Sequence, residues 1–333
     1  MLKIDEKEIL GILREKYGVA ADQAIRVRRK TDRQVWRIHD ASGAEYALKF
    51  VAKGGKGRMI AMVNDYLHKK GIPVATVIPP LEGDASVPRD EGCFLLFPWL
   101  EGTHPDYTEP GMIEKMAKLL AEFHEASRGY AAAGYPIADG RYDWNRVYNR
   151  KIKKMERLRK MAVQDPDPFA QTFLDQYPWL RLRVDWVLDK LPDTALRRLL
   201  EENRDDPALG HGDYSHLNLL RDHRNELTVI DLDTVSTALP MRDISHLVTW
   251  INDAFGDWSR DRLDRVVHAY RETSPLTEEE YTLLLIDQIF PHRAIRLAEK
   301  YLEYPRNAAL LQQFERCIGI DARKLNDLGM GPS

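Results

Sequence analysis

His211-Gly212-Asp213-Tyr214-Ser215-His216-Leu217-Asn218 opens the stretch that decides how the whole chain is read, and Ile230-Asp231 closes it. Asp213 and Asn218 enclose four residues. Leu217 to Leu220 is a short apolar run, Asp222 to Glu226 a polar turn, and Leu227 to Ile230 a second apolar run. The three together predict a β-hairpin. That hairpin delivers Asp231 thirteen positions after Asn218. Further on, Arg242-Asp243-Ile244 opens an apolar helix. Asp243 suits a helix N-terminus, either as a cap or by hydrogen-bonding back onto the loop.

Upstream, the first hundred residues are mixed α/β. A helix is expected over residues 5–17, then strands at Ala24 to Arg29, Val35 to Ile38 and Glu45 to Val51, with a turn at His39-Asp40-Ala41-Ser42-Gly43. Met59, Met62, Val63, Tyr66 and Leu67 follow helical spacing over Arg58 to Lys69, and Gly71 ends that helix. Cys93 to Trp99 is a dense apolar strand closed by Glu101-Gly102. Beyond it the chain turns helical: Met112 to Ala126, residues 143–163, residues 170–191 and most of 242–320. Only residues 208–240 interrupt this half with strand and loop. The expected fold class is α+β, a small β-rich N-lobe followed by a larger helical C-lobe, and the chemistry belongs to the interrupting island.

Composition narrows the class without naming an activity. The chain has 333 residues, enough for two lobes. Lys+Arg 49 against Asp+Glu 52 gives a formal charge of −3, which calls for neither nucleic acid nor an anionic membrane as partner. No run approaches the roughly 18 apolar residues of a membrane span, and Met1 to Leu10 lacks an apolar signal core, so neither secretion nor membrane insertion is expected. Cys93 and Cys317 are far apart and show no metal-type pairing. Cys93, in an apolar strand-like run, reads as a small buried hydrophobe, and the lack of a disulfide framework fits a reducing interior.

The Asp213–Asn218 spacing is that of a kinase catalytic loop. One carboxylate orients the attacking hydroxyl and takes up its proton, and an amide oxygen ligates magnesium nearby. His211-Gly212-Asp213, Asn218, Ile230-Asp231 and Asp243-Ile244 together resemble the aminoglycoside phosphotransferase/choline kinase-like superfamily. The resemblance runs over most of the chain. Tyr46-Ala47-Leu48-Lys49 is similar to that superfamily's lysine-bearing strand, Phe94 to Gly102 to its strand and hinge, and Leu120-Ala121-Glu122-Phe123-His124 to the helix after the hinge. The long helical insert and Ile289-Phe290-Pro291-His292 most resemble the spore coat CotS-type kinase-like family.

The resemblance implies a protein-kinase-like two-lobed fold. Its nucleotide-binding lobe would span residues 1–100 with a hinge near 97–102, and its C-terminal lobe residues 101–333 with an insert at about 141–192. It implies ATP and Mg2+ as cofactors. Asp213 would be the catalytic base and Asn218 and Asp231 the metal ligands. Lys49 would contact the phosphates, Phe97 would back the adenine pocket, and the Pro98 carbonyl and Leu100 N–H would bind the adenine edge. His211 and Asp243 would support the loop. Two departures stand out. Arg29-Lys30-Thr31-Asp32-Arg33-Gln34 replaces the usual glycine-rich loop, leaving side chains such as Thr31 to meet the phosphates. Residues 52–64 carry no carboxylate to hold Lys49, and Asp65 is the nearest in sequence.

The acceptor wall is expected from Asp143, Trp144, Trp250, Asp253 and His292, which combine aromatic and polar groups. Asp143 and Asp253 would suit an acceptor carrying amino groups. The expected function is ATP- and magnesium-dependent phosphorylation of a small-molecule hydroxyl by a spore-coat-associated protein. It would be made in the cytoplasm and deposited with other spore coat proteins. The alternative is a catalytically weak or inactive kinase-like structural protein of the coat.

Overall fold

The structure, a computed structural model, describes residues 4–29, 33–52, 54–83, 85–131, 133–140, 144–191 and 193–332. The chain divides into two compact units. The first comprises Met1–Pro105, Ala126–Ile137 and His216–Val235; the second comprises Asp106–Glu125, Ala138–Ser215 and Ser236–Ser333. Residues 216–235 therefore group with the N-terminal sheet and not with the helices that flank them in sequence.

In the first unit β1 (Ala21–Arg29), β2 (Arg33–Asp40), β3 (Glu45–Ala52), β4 (Val87–Arg89) and β5 (Gly92–Pro98) form an antiparallel sheet in the order β1-β2-β3-β5-β4. The turn between β2 and β3 is local chemistry. The Asp40 carboxylate accepts hydrogen bonds from the Ser42 and Ala44 N–H groups, and Gly43 takes φ +85°. Period-two alternation then sorts the two faces of the sheet. Leu48 and Phe50 of β3 join Phe94 and Leu96 of β5, Trp36, and Ile9 and Leu13 of the N-terminal helical segment in one core. Full burial of each such side chain stabilises by about 1.5–3 kcal/mol. On the opposite face Val51, Cys93 and Leu95 pack with Ile60 and Ala61 of the helix Gly54–Lys69. Gly57 lets that helix approach, since a Cβ there would lie 2.0 Å from the Cys93 sulfur.

The second unit is built from amphipathic helices. Asp167 caps Pro168–Lys190 by accepting from the Phe169 N–H, with Pro168 at the first helical position where no donor is missed. Phe169 stacks on Tyr301 at 4.1 Å and meets Phe314 at 5.2 Å, which ties this helix to two later ones. Arg183, wholly buried, donates to Asp321 at 2.6 Å and to the Ile289 carbonyl at 2.9 Å. The helix Asp193–Glu202 was not anticipated from the sequence, although Leu196, Leu199 and Leu200 recur at helical spacing and are buried. Among the described residues no helix is long and apolar enough to cross a membrane.

Candidate active site

In the first unit β3 and the short hairpin Leu219–Arg221/Leu227–Val229 carry the expected nucleotide and metal residues. Lys49 pairs in register with Val35 of β2 and Leu95 of β5, so it shares the Val51–Leu95 face and not the aromatic core. Its Nζ donates to Asp231 Oδ1 at 2.8 Å and to Asp233 Oδ1 at 2.6 Å. Asp65 does not serve it; that carboxylate pairs with Lys69 at 2.7 Å on the exposed side of the helix. The carboxylate missing from the helix is thus replaced by Asp233, which the sequence reading overlooked. The signal was present as the Asp231-Leu232-Asp233 alternation.

The hairpin explains the thirteen-residue spacing. Leu219 faces Val229, and the Ile230 N–H donates to the Asn218 carbonyl at 2.9 Å. Asn218 and Asp231 therefore leave from the same open end of one hairpin. The turn is closed by the Asp222 carboxylate, which accepts from the Arg224 and Glu226 N–H groups and is held below the usual carboxylate range by those bonds. Asp231 itself adopts a left-handed backbone, φ 62° and ψ 60°, uncommon for a residue with a side chain and costing about 1–3 kcal/mol. Such strain persists where a side chain must be aimed. Asp231, Asn218 and Asp233 are oxygen donors, the set a hard cation takes. No group of three or more His, Cys, Asp or Glu is arranged for a metal among the described residues, so a magnesium ion would rely on these few oxygens, water and phosphate.

Phe97 and Pro98 end β5, where Phe97 packs against the Val51–Leu95 cluster, and Leu100 follows the strand. Residues 97–102 run into a tight pairing in which Thr103 and Arg221 exchange backbone hydrogen bonds at 3.0 and 2.8 Å. Gly102 permits it, since a Cβ would lie 2.6 Å from the Arg221 carbonyl oxygen. Thr31 lies outside the described residues.

In the second unit the strand pair Leu209–Gly210/Ser236–Thr237 brings the chain to His211. Asp243, near the start of the helix Met241–Phe255, holds the loop. Its Oδ2 accepts from the His211 N–H at 2.6 Å, and its Oδ1 accepts from the Gly212 N–H at 2.9 Å. His124 adds a third contact at 3.2 Å. Burial pushes the Asp243 carboxyl up, but His124, His211 and the Gly212 N–H outweigh it and hold the pKa at about 2. His211 is fully buried and its Nδ1 accepts from the Asp213 N–H at 3.3 Å. Tyr214, also fully buried, donates to the Met116 carbonyl at 2.9 Å. The residues on either side of Asp213 are fixed, while its own side chain stays 43% exposed.

Asp213 opens on a cavity of about 330 Å³ formed within this unit. Trp144, Trp250, Asp253 and His292, expected from scattered segments, all line it. Asp143 lies outside the described residues. His246 was missed by sequence reading: its Nε2 is 3.3 Å from Asp213 Oδ1 and 2.8 Å from the Trp250 indole nitrogen. Unprotonated, that nitrogen accepts from Trp250; protonated, it donates to Asp213. His292 donates to Asp287 at 2.9 Å and meets the Lys151 ammonium through its other nitrogen. Burial and the neighbouring Lys151 lower His292 to about 4, so the ring is neutral, despite Asp287. Asp253 is paired with Arg293 at 2.7 Å, which removes much of the negative charge on which an amine-bearing acceptor was expected.

A five-stranded antiparallel sheet carrying a buried lysine, followed by a mostly helical remainder, is the protein-kinase-like fold. The model of the phosphotransferase enzyme family matches residues 24–281, and the chain belongs to that family. It is 24% identical over 301 residues to Spore coat protein S of Bacillus subtilis (strain 168), covering 90% of this chain and 86% of that one. Among solved structures it matches an aminoglycoside phosphotransferase from Alicyclobacillus acidocaldarius with TM-score 0.76 and 18% identity over 99% of this chain and 98% of the other. A spectinomycin phosphotransferase solved with ADP and spectinomycin follows at TM-score 0.67 and 15% identity, covering 97% and 99% of the two chains. Choline kinase from Streptococcus pneumoniae shares the fold at TM-score 0.58 and 16% identity, covering 96% and 99%.

Proposed function

We propose that this protein transfers the γ-phosphoryl group of ATP, with magnesium, to a hydroxyl of a small molecule. The observation that carries the proposal is the Lys49–Asp231–Asp233 cluster beside Asn218. It offers one cation for phosphate and oxygen donors for a divalent ion, and positioning with charge neutralisation is most of what phosphoryl transfer asks of a protein. Asn218 and Asp231 would hold magnesium, whose charge would offset that of the phosphates. Lys49, which has a carboxylate partner in Asp233 besides Asp231, would contact the nucleotide phosphates. Phe97, Pro98 and Leu100 would border the adenine. Asp213, partly exposed on a cavity of ligand size, would orient the acceptor hydroxyl and take up its proton.

ADP release measured with a panel of hydroxyl compounds, with and without magnesium, tests the reading. Magnesium-dependent release above the water background is expected with at least one class of acceptor. Asp231→Asn should remove the magnesium-dependent part of the melting shift produced by ATP. An unchanged shift would remove Asp231 from the metal site.

A second reading has its own support in the likeness to Spore coat protein S over most of the chain. On it the protein is a coat-associated structural member of the family that binds but does not turn over. Nucleotide binding without ADP release for any acceptor would favour it.

A further inference from the structure

The cavity that Asp213 shares is lined, among the described residues, by five Lys or Arg side chains and five carboxylates, but the carboxylates are largely committed. Asp243 accepts from the His211 and Gly212 N–H groups. Asp287 accepts from Tyr148, Ser245 and His292, and is held well below the usual carboxylate range by His292 foremost, against the effect of burial. Asp253 pairs with Arg293, and Glu299 with Lys154. The cations are not matched in the same way. Arg242 and Arg296 have no carboxylate partner among the described residues, and Arg296 rests 5.6 Å from the Trp250 ring centre, where Arg293 also lies at 5.2 Å. Arg293 keeps Nε and Nη1 buried without a hydrogen-bond acceptor among the described residues. Lys151 meets a neutral imidazole.

We propose that this cavity takes an acceptor that carries a phosphate or carboxylate group in addition to the hydroxyl presented to Asp213, the anion being held by Arg242 and Lys151 with Arg293 and Arg296 behind them. Guanidinium forks bind such planar or tetrahedral anions by paired, charge-assisted hydrogen bonds, and an anion relieves the crowding of like charge. That crowding registers at Lys151. Burial, then Arg242, Lys154 and Arg296, bring it down to about 8, against the pull of Asp287. The substrate class deepens the phosphotransfer reading and rests on it for the role of Asp213, but anion binding is measured without turnover.

Calorimetric titration of the full chain with glucose 6-phosphate and glucuronate, against glucose and the amine-bearing kanamycin, tests the idea. The two anionic probes should bind and the other two should not. Arg242→Gln should weaken the anionic probes by about tenfold or more, the worth of one charge-assisted hydrogen bond. A parental melting temperature without ligand reports whether each variant is folded. Should Arg242→Gln fail that check, Arg296→Gln on the exposed rim repeats the test, with a smaller loss expected. Glucose or kanamycin binding as tightly as the anionic probes would overturn the proposal. So would unchanged affinity in a folded Arg242→Gln, or a parallel loss of the Mg-ATP shift, which would assign these cations to the nucleotide. Anionic probes that bind while no acceptor of the panel gives ADP release would sink the phosphotransfer reading while leaving the anion site standing.

Discussion

The first unit sets one buried cation against two carboxylates, Lys49 against Asp231 and Asp233. The second sets Arg242 and Arg296, without a carboxylate partner among the described residues, around a cavity whose carboxylates other than Asp213 are largely committed. The first arrangement suits a ligand that brings positive and negative charge together, as a metal-bound nucleotide does. The second suits a ligand that brings negative charge alone. Each unit thus states its missing partner through the sign of what is left over.

The largest effect expected from breaking this contrast is catalytic. Asp213→Asn should lower acceptor phosphorylation by about 10²–10⁴-fold, the usual contribution of a positioned base. Its Mg-ATP melting shift should remain near parental, because the proposed metal and phosphate ligands lie in the other unit. Near-parental turnover by this variant would strip Asp213 of its role.

Next in size is the support of the loop. Asp243→Ala leaves the buried His211 N–H and the half-buried Gly212 N–H without their acceptor and should cost about 3 kcal/mol, read as a lower urea midpoint at constant slope. The sign with pH is fixed by the depressed pKa. The stabilisation is complete above the unfolded carboxylate value of about 3.8 and is lost as pH falls toward about 2. A parental urea midpoint for the variant would show that Asp243 is only a surface-like cap.

A subtler change probes the replacement carboxylate. Asp233→Asn keeps the shape but withdraws one of the two charges that aim Lys49, and Mg-ATP affinity should fall about tenfold, roughly 1.4 kcal/mol. Titration calorimetry decides it, and unchanged affinity would leave Lys49 anchored by Asp231 alone.

The smallest effect belongs to the second unit and to pH. Lys151, protonated below about 8, should hold an anion better at pH 7 than at pH 9, by about threefold to tenfold. Of its neighbours, His292 is neutral and Asp287 ionised across that range, and Arg242, Lys154 and Arg296 line the same cavity. Glucuronate is the suitable probe because its own charge does not change there. A flat profile would move the anion away from Lys151.

Much of this was readable along the chain. Alternating strands at residues 21–52, the apolar run of β5 and the long helical periods are local patterns, and local patterns survive in sequence. The hairpin between Asn218 and Asp231 was readable for the same reason: two short apolar runs and one polar turn leave little choice of register. The set Asp213, Asn218 and Asp231 could be named as candidates because the proposed chemistry constrains spacing within a single loop and hairpin. What the sequence could not decide were pairings between residues distant along it. Lys49 and Asp233 are 184 positions apart, and nothing in a one-dimensional pattern says which carboxylate a buried ammonium will find. Asp253 looked like a site for an amine until folding brought Arg293 to it across 40 positions. Charge in a cavity depends on which ions have been neutralised, and neutralisation is decided by tertiary packing. The sequence by itself determined most of the elements and where the proposed chemistry-bearing loop lies; only the tertiary structure decided which of its charges are left for a ligand.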